Sequence, residues 1–215
     1  MLRMALPKGR LLDQVLIKLR RIGFEVNLEN DRDYSPACND PNIETTLRKV
    51  RAIPQLIGMG NAGIGFCGLD LVRETHYNKE DVLPLLDLGL NPVRIVVATS
   101  QATKNILVTP PECPLIIATE YEHMAREWAM SRGLSHIIIQ THGSTESYVP
   151  ADAHLALDNV DTGQTMVANG LHILEEIILS STWLVANRTI YETPEHRAWI
   201  DAFIEKLQDV KESSQ

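Results

Sequence analysis

One junction restricts the fold of this chain more than any other. The apolar alternating run Ala153 to Val160 reads as a strand, it breaks at Asp161-Thr162-Gly163, and a short helical segment starts at Thr165. A strand that feeds a helix through so short a turn belongs in an α/β layer arrangement, with a sheet covered by helices. Such a turn also directs backbone N–H groups and two hydroxyls to one place, beside a helix N-terminus with partial positive charge. That is a cradle for a phosphate. Asp158 and Asp161 flank it and are placed to accept hydrogen bonds from ribose hydroxyls or to hold Mg²⁺ through water. Taken alone, the same residues also describe an ordinary Asp-Thr-Gly turn between two apolar runs.

The rest of the chain repeats the alternation. Leu2 to Leu6 reads as a strand, Pro7-Lys8-Gly9-Arg10 as a loop, and Leu11 to Ile22 as an amphipathic helix, with Leu12, Val15, Leu16, Leu19 and Ile22 on one face and Gly23 as its stop. Strands are expected at Phe24 to Leu28, Ile43 to Val50, Gly63 to Gly68, Val82 to Leu90 and Val93 to Thr99, with a polar loop from Asn30 to Pro41. Ile53 to Met59 starts a helix at Pro54, and Leu69 to Thr75 is helical. Beyond Asn91 come a strand at Leu115 to Ala118, a helix at Glu122 to Arg132 stopped by Gly133, and a strand at Ser135 to Gln140. A loop from His142 to Pro150 leads into the strand at Ala153. Leu171 to Ala186 is a long apolar strand, able to return to the first unit. Thr193-Pro194 starts a last helix to about Val210, and Lys211 to Gln215 is a frayed tail. Two α/β units are expected, residues 1–90 with 187–215, and 91–186.

Composition narrows the class. A hydrophobic fraction of 44% over 215 residues supports a packed core. A net charge of −8 excludes a nucleic-acid surface, which needs a basic stripe, but leaves room for anionic nucleotides held by a few local cations. Cys38, Cys67 and Cys113 are odd in number and lack Cys-x-x-Cys spacing, as expected of reduced thiols in a cytoplasmic protein. Lys8-Gly9-Arg10 interrupts the apolar start, so no signal peptide is expected. No apolar run reaches the roughly 18 residues of a membrane span.

Few groups are placed for chemistry. Lys8, Gly9 and Arg10 lie where a strand hands over to a helix, the end at which open α/β sheets bind ligands. Arg48 and Arg51 lie at the end of another strand, and arginine can grip phosphate oxygens with two bonds. Thr141-His142-Gly143-Ser144-Thr145-Glu146 follows a third strand. Its Gly143, Ser144 and Thr145 read as a second anion nest or as a plain turn, and Glu146 as a partner for a ligand hydroxyl. The seven histidines show no paired metal spacing, and there is neither a Gly-x-Ser-x-Gly elbow nor a P-loop.

The order of these features carries a resemblance. Pro7-Lys8-Gly9-Arg10-Leu11, Ile53-Pro54, Gly63-Ile64-Gly65-x-x-Gly68-x-Asp70, Ala118-Thr119-x-Tyr121, Gly143-Ser144-x-Glu146 and Asp161-Thr162-Gly163-x-Thr165, with Asn169-Gly170-Leu171 behind it, recur in sequence. The chain resembles the ATP phosphoribosyltransferase family, in its short form, over nearly its whole length. The resemblance implies a two-lobed fold like a periplasmic binding protein, with a cleft between two α/β domains. It implies attack by N1 of ATP on C1 of phosphoribosyl pyrophosphate, the first step of histidine biosynthesis. It further implies Mg²⁺ carried by the substrate pyrophosphate, with no side chain assigned to the metal. Asp161, Thr162, Gly163, Gln164 and Thr165 would bind phosphoribosyl pyrophosphate, and Lys8, Gly9, Arg10 and Arg48 would bind ATP. Asp158, Glu146 and Arg10 would carry the catalysis. A regulatory partner resembling histidyl-tRNA synthetase, and an oligomeric assembly, are implied as well. The chain departs from the family pattern at His154, at Asn61 and at Glu120. A transferase acting on another base and a non-catalytic binding module therefore stand as alternatives.

Overall fold

The structure is a computed structural model that describes residues 1–30, 33–75, 79–161 and 163–212. Its chain divides into two compact units, Met1–Asn91 with Ser181–Gln215, and Pro92–Ser180. The first crossing thus comes one residue after the expected 90, and the return comes after Ser180, earlier than the expected 186.

The first unit opens with β1 (Leu2–Pro7), whose side chains are almost all buried. Gly9 turns the chain at φ 83 into α1 (Arg10–Arg21), which buries Val15, Leu16 and Leu19. Gly23, at φ 76, closes this helix as expected. Its N–H donates to Arg20 O at 3.0 Å and that of Phe24 to Leu19 O at 2.9 Å, satisfying carbonyls that the helix end leaves open. The strand expected over 24–28 shrinks to β2 (Val26–Asn27), paired with β3 (Ala37–Cys38) inside the expected loop. Phe24 packs instead edge-on against Phe203, with ring centroids 5.7 Å apart. β4 (Ile43–Arg48) runs parallel to β1 in the register Leu2↔Ile43 to Pro7↔Arg48. α2 (Ile53–Gly58) carries Pro54 in its first turn.

Next, β5 (Ile64–Gly68) pairs parallel with β1. A Cβ on Gly65 would lie 3.0 Å from the Ala5 carbonyl oxygen and 2.8 Å from Ile53 Cγ2, so this crossing of strand and helix requires glycine. α3 (Leu69–Glu74) follows. Residues expected as two strands form one, β6 (Val82–Ser100). Its apparent turn is absorbed by Gly89 at φ 63 and Asn91 at φ 47, and Asp87 accepts the Gly89 N–H at 2.8 Å.

The second unit holds β7 (Leu115–Thr119), α4 (Glu122–Ser131), β8 (His136–Gln140) and β9 (Leu155–Val160). β7 pairs parallel with both β8 and β9, and β9 pairs antiparallel with β6. The expected loop over 142–150 contains a 3-10 turn at Thr145–Tyr148. α5 (Gln164–Ala168) is the short helix expected after the Asp-Thr-Gly turn. Val96, Ala118, Ala156, Met166 and Leu171 form the core here.

β10 (Leu171–Asn187) carries the chain back, and its second half pairs antiparallel with β5. The strand order is β4-β1-β5-β10 in the first unit and β6-β9-β7-β8 in the second. α6 (Arg188–Tyr191), absent from the sequence reading, is capped by Asn187, whose side chain accepts the Ile190 N–H at 3.0 Å. α7 (Pro194–Glu212) lays Ile200, Phe203 and Leu207 into the first core. It runs through part of the expected tail, of which 213–215 lie outside the described residues. No described helix is long and apolar enough to cross a membrane.

Candidate functional site

In the second unit, the C-terminal end of β9 carries a half-buried carboxylate among carboxylates. Asp158 pairs across the ladder with Val96. Burial is the chief cause that pushes its carboxyl above the ordinary range, and Glu120 and Glu146 push the same way. A hydrogen bond from the Thr145 side chain and one from the Asn159 N–H, at 2.7 Å to Oδ1, pull in the other direction.

Local hydrogen bonds bring the two glutamates in. Thr119 Oγ1 donates to the Leu157 carbonyl at 2.7 Å and accepts from the Tyr121 N–H at 2.7 Å, which binds the turn holding Glu120 to β9. Asn159 Nδ2 donates to the Tyr121 hydroxyl oxygen at 2.9 Å. Gly143 at φ 106 and Ser144 at φ 49 bend the chain so that the 3-10 turn carries Glu146. Thr145 is fully buried, with its hydroxyl 2.8 Å from that of Thr141. It therefore faces inward rather than forming the outer wall of an anion nest.

The loop 161–165, expected from the sequence to bind a phosphate, follows β9. Gly163 is buried at φ 77, a left-handed position that suits glycine, and it caps α5. Asp161, Gln164 and Thr165 are exposed, and Thr162 lies outside the described residues. An unforeseen cation stands beside this loop. A Cβ added to Gly163 would lie 3.6 Å from Arg94 Nη2, while Arg94 Nη1 donates to Glu176 Oε2 at 3.5 Å. Arg94 pairs with Val160, the residue that precedes the loop, so the register of β6 on β9 places it there. Its only sequence signal is a charge within the otherwise apolar run Val93 to Ala98.

In the first unit, Lys8 and Arg48 meet at the C-terminal ends of the parallel strands β1 and β4, where the Lys8 N–H donates to Arg48 O at 2.8 Å. Lys8 Nζ sits 3.5 Å over the ring of Tyr34, a residue the sequence reading passed over. Arg48 Nη1 donates to the carbonyls of Leu47 at 2.8 Å and Tyr34 at 3.4 Å. Arg48 thus braces the loop that carries Tyr34. Arg10, the first residue of α1, is exposed.

Two motif positions serve the fold. Asp70 is buried, with its carboxylate folded over Gly68. His154 Nδ1 accepts the Ile116 N–H at 2.9 Å and so tethers the start of β9 to β7.

Two α/β units with mixed sheets, the second bearing an acid-lined loop that caps a helix, define a class, the two-lobed fold of periplasmic-binding-protein-like domains. Solved structures with this fold include the GluR0 ligand-binding core from Nostoc punctiforme (12% identity, TM-score 0.61, covering 100% of this chain and 94% of that one). A histidine kinase sensor domain with similarity to periplasmic binding proteins also shares it (7% identity, TM-score 0.59, covering 100% and 92%).

The chain belongs to the ATP phosphoribosyltransferase family, whose pattern matches residues 49–209. A relative of that name from Desulforudis audaxviator is 33% identical over 198 residues, covering 90% of this chain and 67% of the relative. Another, from Picosynechococcus, is 31% identical over 216 residues, covering 98% and 100%. A chain of the ATP phosphoribosyl transferase (HisG:HisZ) complex from Thermotoga maritima matches at 30% identity with a TM-score of 0.85, covering 99% of this chain and 100% of that one.

Proposed function

We propose that this chain performs the reaction of its family, joining N1 of ATP to C1 of phosphoribosyl pyrophosphate, and that its second unit carries the transferred sugar. The observation behind this is the C-terminal end of β9, where Asp158 leads directly into the glycine-capped loop 161–165. Backbone N–H groups of that loop and the Thr165 hydroxyl would hold the 5-phosphate, with Arg94 as its counter-charge. Asp158 then lies beside the ribose. As the C1–O bond breaks and pyrophosphate leaves with the electron pair, C1 and the ring oxygen gather positive charge. Ionised Asp158, with Glu120 and Glu146 behind it, would stabilise that charge from fixed positions in a partly buried site. Holding the two substrates in line supplies the remainder.

Lys8, Arg10 and Arg48 would take the ATP or pyrophosphate oxygens. Gly9 would leave room for close approach. Mg²⁺ arrives on the pyrophosphate as part of the substrate. The chain works in the cytoplasm, in an oligomer with a regulatory partner resembling histidyl-tRNA synthetase, and the length-matched neighbour solved in a HisG:HisZ complex favours a partner subunit.

Product mass tests the reading. Purified protein with ATP, phosphoribosyl pyrophosphate and Mg²⁺, alone and with the co-expressed partner, is expected to form phosphoribosyl-ATP. Binding of phosphoribosyl pyrophosphate without that product would point to another acceptor base. Loss of both binding and turnover would point to a silent binding module.

A further inference from the structure

Three residues of the first unit close a ring of contacts at the C-terminal ends of β1 and β4. The Lys8 N–H donates to the Arg48 carbonyl at 2.8 Å. Arg48 Nη1 donates to the Tyr34 carbonyl at 3.4 Å. The Tyr34 ring in turn lies under Lys8 Nζ, 3.5 Å from ammonium to ring centroid. The loop that carries Tyr34 is fastened to β4 at further points. The Leu47 N–H donates to the same Tyr34 carbonyl at 3.0 Å, and Thr45 Oγ1 donates to the Pro36 carbonyl. The register Leu6↔Leu47 and Pro7↔Arg48 fixes β4 against the strand that leads into Lys8.

Packing gives this ring little to do, because Tyr34 is 55% exposed. Its use lies in what it holds. Lysine is a compact charge on a flexible four-carbon stem, and an unrestrained ammonium at a surface samples many rotamers. An aromatic face attracts the ammonium through the ring quadrupole. A carboxylate in the same place would hold it too, but it would cancel the charge and repel an arriving anion. The ring does neither. An ammonium has three N–H donors, and contact with one ring face leaves donors free for other oxygens. Among the described residues no carboxylate pairs with Lys8.

We infer that Tyr34 is a positioning residue, which holds the Lys8 ammonium in place for the phosphate oxygens of an incoming substrate. The inference rests on the reading of Lys8 as a phosphate-binding cation. The triphosphate of ATP and the pyrophosphate of phosphoribosyl pyrophosphate offer Lys8 the same chemistry, and kinetics with each substrate varied in turn separates them. Tyr34 needs no contact with substrate in this role. Its effect passes through Lys8, whose ordering lowers the entropic cost of gripping a phosphate. That gain is the same before and during the reaction, so it belongs in KM rather than in kcat.

The experiment combines steady-state kinetics of the complete chain with ¹H–¹³C NMR of Lys8. Tyr34→Leu is expected to raise KM for ATP or for phosphoribosyl pyrophosphate about two- to fivefold, with kcat within about twofold of wild type. The substrate that responds is the one Lys8 holds. Tyr34→Phe should restore the wild-type value, because it keeps the ring and loses only the hydroxyl. Lys8→Met should raise the same KM by more, and adding Tyr34→Leu to it should change nothing further. The Lys8 ε-methylene protons, shifted upfield by the ring, should move downfield in Tyr34→Leu and stay in place in Tyr34→Phe. Unmoved protons or unchanged KM values in Tyr34→Leu would overturn the inference, as would a rise of equal size in the Lys8→Met background. Lys8→Met separates this inference from the reading beneath it. Weakened binding there with a silent Tyr34→Leu removes Tyr34 alone, whereas unchanged KM values in Lys8→Met remove Lys8 from substrate binding and the inference with it.

Discussion

Asp158, the carboxylate proposed to act on the transferred sugar, is set against the stability of its own fold at neutral pH. Its carboxyl titrates above the ordinary range, so the folded state binds its proton more tightly than the unfolded chain does. The sign follows directly. The group contributes stability below its unfolded value of about 3.9, and that contribution is lost as pH rises through the folded value. At neutral pH the ionised form is therefore destabilising, and Asp158→Asn should raise Tm at pH 7, with the gain fading toward pH 4 in calorimetric scans. The same variant should lower kcat/KM by about 10²-fold or more, because a fixed charge is missing where positive charge develops. Arg94→Ala should raise KM for phosphoribosyl pyrophosphate about tenfold or more, with a smaller effect on kcat, as expected for one lost charge-assisted bond. Steady-state kinetics read both. The placement of Asp158, Gly163 and Thr165 around one strand end was legible because the Asp-x-x-Asp-Thr-Gly-x-Thr run is contiguous. Arg94 was not, because it reaches the loop through strand register rather than through sequence proximity. Tyr34 was hidden for a similar reason, since its contact with Lys8 depends on Arg48 holding its carbonyl.

At the scale of elements, glycines and caps decide where helices and strands meet. Gly65→Ala would drive a methyl group against the Ala5 carbonyl and Ile53. A loss of about 1–3 kcal/mol is expected in urea unfolding, the range for overpacking a tight site. Asn187→Ala would remove the cap of α6 and also the bond from Nδ2 to the Ile57 carbonyl at 2.8 Å. Loss of the cap alone costs about 1 kcal/mol, and the Ile57 carbonyl left without its donor adds to it, so the urea midpoint should fall further than for an exposed cap. Helix ends with a local cause could be read in advance, as at Gly23 and Gly133. β6 could not. Gly89-Leu90-Asn91-Pro92 has the composition of a turn, yet the ladder runs through it, because Asp87 holds the Gly89 N–H and also accepts from Ser181 at 2.5 Å. α6 escaped notice for the opposite reason. Its cap is the last residue of a long apolar strand, and nothing nearby marks a helix.

At the scale of the whole molecule, the chain leaves its first unit within one long strand and returns within another, so the first unit is built from parts far apart in sequence while the second is one continuous segment. Length-matched agreement with a chain solved in a HisG:HisZ complex leads to a prediction at this scale. Mixed with a partner resembling histidyl-tRNA synthetase, the protein should elute earlier in size-exclusion chromatography, and phosphoribosyl-ATP formation per catalytic chain should rise. Unchanged elution would remove the partner from the proposal.

By itself the sequence determined events whose causes lie within a few residues. These are the alternation of strands and helices, the glycine stops, the glycine turn between β9 and α5 and the basic turn after β1. Their physics is local, set by backbone dihedrals, side-chain periodicity and helix-end hydrogen bonding. Only the tertiary structure decided which distant groups face one another: Arg94 beside Gly163, Tyr34 over Lys8, and the Tyr121 hydroxyl against Asn159. Strand register is the sum of many weak cross-strand contacts, and no single segment of the chain encodes it.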